Sequence, residues 1–182
     1  DGLRYVGQRA AAEADSELVT STDNWFRPTQ VRTGPDGGLW ITDMSRSVIE
    51  HPRWIPEQTL ATLDVRAGDQ QGRIIRLLPS DKGARPIPKL ASQAPAQWVA
   101  ALRSPNGTVR DQAQQLLFWN PDPATIAPLR ELVHSDALAA GRAAALWVLA
   151  RAEALQSDDL RVALTADDPL LRRQAVRLLA QA

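Results

Sequence analysis

Cysteine is absent from all 182 residues, which excludes disulfides, thiolate metal sites and the Cys-x-x-Cys-His attachment of a c-type haem within the chain. Net charge is absent as well, because 21 basic residues balance 21 acidic ones. No global field pulls such a chain towards polyanions, so no nucleic-acid partner is expected. No run approaches the roughly 18 apolar residues that span a bilayer, and no transmembrane segment is expected. The chain starts at Asp1 with neither an initiator Met nor a signal peptide, which predicts a processed or excised piece. What is present, 44% hydrophobic and 23% charged residues, suffices for one folded domain or two small ones.

The two halves follow different periodicities. In the first, short apolar runs are bounded by turn residues, as half-buried strands require. They predict strands over Leu3 to Gln8, Glu17 to Ser21, Thr29 to Thr33, Leu39 to Asp43 and Arg73 to Leu78. Gly34-Pro35-Asp36-Gly37-Gly38 supplies hairpin chemistry between the third and fourth, a fixed φ followed by permissive glycines. A long excursion at 44–71, rich in Pro, Trp and charge, separates the fourth strand from the fifth. Loops of that length are more often functional than decorative.

From about Leu90 the period becomes helical. Trp98, Val99 and Leu102 share one face after Pro95, Val109, Ala113, Leu116 and Leu117 share another, and Ile126, Leu129, Leu132 and Val133 form a third. A self-similar pattern runs through this half: Val109-Arg110-x-x-Ala113-x-x-Leu116-Leu117, Arg142-x-x-Ala145-x-x-Val148-Leu149 and Leu171-Arg172-x-x-Ala175-x-x-Leu178-Leu179. Its arginines lie 32 and then 30 residues apart, a period that predicts stacked helix pairs of HEAT-like type with each small Ala at a close approach. Ser157-Asp158-Asp159 and Asp168-Pro169 read as helix starts. Pro79 to Pro88, with three prolines and Gly83, reads as a linker. The expected fold is therefore α+β in two parts, short antiparallel strands at 1–79, a linker at 80–89, and an α-solenoid of HEAT-like helix pairs at 90–182; it is the motif succession of the first part that resembles an antiparallel β-propeller blade fragment.

Residues 18–79 carry a specific succession: Ser-Thr-Asp-Asn-Trp-Phe-Arg-Pro at 21–28, Gly-Pro-Asp-Gly-Gly-Leu-Trp-Ile-Thr-Asp-Met at 34–44, Ile-Glu-His-Pro-Arg-Trp-Ile-Pro at 49–56 and Gly-Arg-Ile-Ile-Arg-Leu-Leu at 72–78. It resembles the closing blade in the membrane-bound dehydrogenase family of PVC-type haem-binding proteins. There a propeller similar to sugar and sorbosone dehydrogenases precedes HEAT repeats and a c-type cytochrome domain. The likeness continues through Ser104-Pro105-Asn106-Gly107 and Ala145-Leu146-Trp147-Val148-Leu149. In one departure, Ser45 stands where such proteins tend to carry an aromatic residue. The resemblance implies a fragment of a quinoprotein dehydrogenase for sugars or other alcohols, with a quinone resembling pyrroloquinoline quinone, calcium as a further cofactor, and haem c in a domain outside this chain. It also implies a periplasmic or cell-envelope location, with the rest of the propeller and the cytochrome domain as partners. The alternative is a non-catalytic HEAT-repeat scaffold that docks a protein on the solenoid.

Each candidate site residue carries two readings. Asp23, Asn24 and Arg27 precede a strand, so Arg27 and Asn24 are candidates to hold a carboxylate of a quinone or substrate, or else to close a turn. Asp43, Arg46, Glu50 and His51 form the densest polar group. His51 beside Asp43 and Glu50 is the candidate catalytic set, with a hard cation on the two acids as a further option, and turn closure plus ion pairing as the structural reading. Trp54-Ile55-Pro56 either plugs the excursion onto the sheet or stacks on a ligand. Asp64, Arg66 and Asp69 lie late in the excursion, Arg66 being a candidate cofactor contact or an ion pair that holds the loop. In the helical half, eleven basic residues against nine acidic ones from Arg85 onward make no cationic stripe, so Arg110, Arg142 and Arg172 are expected to hydrogen-bond between repeats. Trp98, Trp119 and Trp147 are expected in the core, and His134 at a helix end.

Overall fold

The computed structural model describes residues 6–181, in which seven helices and a small three-stranded antiparallel sheet make a mixed α and β fold. The chain divides into a sheet-bearing unit, Gly7–Arg85, and a helical unit that begins at Pro86.

In the sheet unit the strand order is β1 (Pro28–Thr33), β2 (Leu39–Asp43) and β3 (Arg73–Leu77), each antiparallel to the next. Val31, Ile41 and Ile75 lie side by side across the three strands, as do Trp40 and Arg76, and Asp43 and Arg73. The register slips between Pro28 and Gln30, where proline cannot donate to the ladder. At the hairpin, Gly34 N–H reaches the Gly38 carbonyl at 2.8 Å. Asp36 folds into this turn, and its Oδ1 accepts from Gly38 N–H and Trp40 Nε1.

Two strand expectations are corrected. Glu17 to Ser21 forms no strand, and Leu3 to Gln8 falls partly outside the described residues, its remainder, Val6 to Gln8, being irregular. A strand needs a partner to accept its backbone groups, and β2 already has both neighbours. The excursion also contains a 3-10 turn at Pro52–Trp54 and a single helical turn, α1 (Glu57–Leu60).

The helical unit contains α2 (Pro95–Ala101), α3 (Gly107–Trp119), α4 (Ile126–His134), α5 (Ala139–Arg151), α6 (Ser157–Leu164) and α7 (Pro169–Leu179). Their starts are chemically marked. Asn106 and Asp168 accept the N–H groups of Thr108 and Leu170, and Gln156 with Asp159 forms a reciprocal capping box. Packing repeats: α2 contacts α3, α4 contacts α5 and α6 contacts α7, while α3, α5 and α7 touch in succession, as do α2, α4 and α6. Ala113, Ala145 and Ala175, the small residues of the repeated pattern, are all fully buried at these contacts. Gly141 meets the Leu102 backbone so closely that a Cβ would collide with its carbonyl oxygen.

The repeated arginines bind backbone. Arg110 donates to the Ser104 carbonyl and Arg172 to those of Ala166 and Asp167, each just before its own helix, and Arg142 donates to the Val133 carbonyl in the last turn of α4. Two of these ties run to the segment leading into the helix and the third runs from α5 to α4, so none links one helix pair to the next. Trp98 is buried and donates to the Leu90 carbonyl, and Trp147 reaches Gln174 on α7. Trp119 is a further correction: it is 69% exposed, because it ends α3, where the inward-facing period runs out. Among the described residues no helix is long and apolar enough to cross a membrane.

Candidate functional site

Asp43 ends β2 with its side chain buried, and its two oxygens gather three donors from distant parts of the chain. Oδ1 accepts the N–H groups of Arg27 (2.7 Å) and Ser45 (3.0 Å), and Oδ2 accepts Arg73 Nε at 2.6 Å. Arg73 also reaches Asp23 Oδ2 at 2.6 Å, while Asp23 Oδ1 accepts Trp25 N–H. Burial alone would raise the Asp43 carboxyl, but these donors overcome it and hold the group below its ordinary value. The Arg73 hydrogen bond does the same for Asp23, and the two acids together push the Arg73 guanidinium up. Asp36 repeats the scheme at the other end of β2: burial opposes ionisation, and the Trp40 and Gly38 donors with Arg76, 3.2 Å away, outweigh it.

This geometry sorts the candidate residues. Asp43 is bound into the fold on both oxygens, and no hydrogen bond joins it to His51 or Glu50. His51 is exposed and uses Nδ1 to accept Arg53 N–H at the start of the 3-10 turn. Glu50 is exposed and makes no hydrogen bond or ion pair among the described residues. A cation shared by Asp43 and Glu50 does not fit this arrangement, and among the described residues no group of three His, Asp or Glu side chains is placed to hold a metal. Arg27 spends its fork on the carbonyls of Asn24, Phe26 and Ser47. The Asn24 side chain is exposed. Trp54 is 76% exposed, with the Arg53 guanidinium 5.5 Å from its ring centre.

Arg46 and Arg66 are brought together, although 20 residues separate them in sequence. Arg46 Nη1 donates to the Arg66 carbonyl at 3.1 Å, and both line an open pocket of about 410 Å³ with Met44, Val48, Ile49 and Asp69. The close approach behind this pocket depends on Gly68. Its φ of +89° is left-handed, and a Cβ there would strike the Ser45 carbonyl oxygen. Ser45 is itself buried at φ +50°, held by its N–H bond to Asp43. Asp64 turns the chain just before, accepting Arg66 N–H. The Arg66 guanidinium has no partner among the described residues, so it is available to an anion. A pocket of two guanidinium groups, one acid and apolar walls can orient a flat or amphipathic anion through forked hydrogen bonds.

The residue that the sequence reading passed over is Arg73. Its signal was present in the pairing of two five-residue strands, which sets position 73 opposite 43.

Residues 1–81 match a family model described as a domain of unknown function, DUF7133. No curated protein and no solved structure matches the chain. The DUF7133 match ends a few residues after β3 and takes in the clasp around Asp43 and the Arg46–Arg66 pocket.

Proposed function

We propose that this chain belongs to a propeller-type quinoprotein dehydrogenase for sugars or other alcohols, as the stretch where its closing blade passes into HEAT-like helix pairs. The observation that supports it best is the sheet: a three-stranded antiparallel meander in which Ile41 is the one fully buried apolar residue and β1 is exposed throughout. A propeller blade has that character, since neighbouring blades cover its faces. The repeating helix contacts and the three buried alanines support the solenoid.

A quinone, when bound, would accept two electrons and two protons from an alcohol; on its reoxidation the electrons would go to a cytochrome domain elsewhere and the protons to solvent. This chain's part is to hold an anionic edge of such a group: Arg66 offers an unengaged guanidinium and Arg46 the donors not used on the Arg66 carbonyl. A protein of this kind works in the periplasm or cell envelope.

The natural protein carrying this segment, supplied with pyrroloquinoline quinone, is expected to reduce a redox dye with at least one aldose or polyol. Arg66→Ala weakens quinone binding by roughly ten-fold or more, the usual loss of a charged hydrogen bond. Absence of both quinone binding and turnover across the panel rejects the enzyme reading. It would leave the second one, a scaffold, which the helical unit's own continuous core favours.

A further inference from the structure

The helical unit has a cavity of its own, independent of the dehydrogenase reading. A cavity of about 280 Å³ opens between the end of α3, the start of α4 and the last turn of α5. Leu117, Phe118, Ile126 and Val148 supply apolar walls, and Asp122 and Arg151 bring opposite charges to the same lining. That volume lies just below the range of about 300–1,000 Å³ typical of small-molecule pockets, so any occupant is small.

The two charges decide its chemistry. Asp122 uses one oxygen to cap the turn before α4, accepting Ala124 N–H at 2.9 Å, and its other oxygen accepts nothing among the described residues. Arg151 makes no hydrogen bond or ion pair among the described residues, Asp122 included. The three repeat arginines, by contrast, all spend guanidinium donors on backbone carbonyls. A position in the last turn of α5 accounts for a cation there through the helix dipole. It does not account for an apolar hollow flanked by both an acid and a base that leave each other unpaired. A plain carboxylate would meet Arg151 but face Asp122, and a plain amine would meet the reverse. A zwitterion satisfies both.

We propose that this cavity binds a free α-amino acid with an apolar side chain of about leucine's size. The side chain lies against Phe118 and Ile126, the carboxylate takes the Arg151 fork and the ammonium faces Asp122.

Titration of the full chain with L-leucine, followed by amide NMR, tests this. Saturable shifts are expected at Phe118, Ile126 and Ala152. Glycine, 4-methylpentanoate and isoamylamine, which lack the side chain, the ammonium and the carboxylate in turn, should each bind roughly ten-fold more weakly or worse. Arg151→Gln and Asp122→Asn should each weaken leucine binding to a similar degree; asparagine keeps the cap, so the second variant stays folded and removes only charge. The proposal is overturned if leucine gives no saturable shift at those amides up to its solubility, or if binding survives both substitutions unchanged.

Discussion

Replacing Asp43 with alanine strands three donors together: the N–H groups of Arg27 and Ser45 and the Nε of Arg73. A buried donor left without its acceptor costs about 1–3 kcal/mol, so Asp43→Ala is expected to melt the sheet unit locally. Hydrogen exchange at the Arg27 and Ser45 amides reads this directly, and their protection should collapse. Asp43→Asn keeps one acceptor oxygen and should fall between. The same carboxylate sets an acid dependence. Asp23, Asp36 and Asp43 are all held below the ordinary aspartate value of 3.8, so folding favours their ionised forms. Their stabilisation is fully present above that value and is lost as pH falls through their lower folded values. Exchange protection of β1 to β3 should be flat near neutrality and decline below about pH 3.8, with a shallower decline in Asp43→Asn. A profile that rose towards acid would contradict the clasp.

In the elements, what could be read in advance was whatever depends on near neighbours in sequence. The bounds of β2 follow from alternation and from the turn at Gly34 to Gly38, and the self-similar pattern of the helical half picked out Ala113, Ala145 and Ala175, all fully buried. The extra strand at Glu17 to Ser21 failed because apolar alternation says nothing about whether an edge is free to pair. Asp43 was read with its sequence neighbours Glu50 and His51, yet its partners are Ser45, two residues on, and Arg27 and Arg73, which only the pairing of the three strands brings to it. Arg46 and Arg66 meet for a similar reason, through the left-handed turn at Gly68. The helix contacts invite a paired test. Ala145→Leu forces a larger side chain into the contacts of α5 and should cost about 1–3 kcal/mol. Trp119→Ala, at an exposed helix end, should stay within about 0.5 kcal/mol. Thermal melts of the two variants, monitored by helix dichroism, should separate clearly. Equal shifts would mean that α3 and α5 pack otherwise.

Across the whole chain, apolar burial is divided very unevenly between the two units. Twenty of the 21 buried apolar residues of the described chain lie in the helical unit, and the sheet unit holds Ile41 alone. The sheet's other fully enclosed side chains are polar, Asp36, Asp43 and Ser45, while Val31 and Ile74 stand half or more exposed. Hydrophobic burial is the main favourable term in folding, so the two units should open with different free energies. Native-state hydrogen exchange is expected to show α5 and α7 amides opening only with the global unfolding of their unit. Those of β1 to β3 should exchange through a cheaper, separate opening. Exposed apolar strand residues also favour association. Ile74→Thr should therefore reduce concentration-dependent aggregation without moving the helical melt, because threonine keeps β-propensity while removing apolar surface. If instead the strands proved as protected as the helices, the sheet would be stable without cover. The main support for reading it as one blade among several would then be gone.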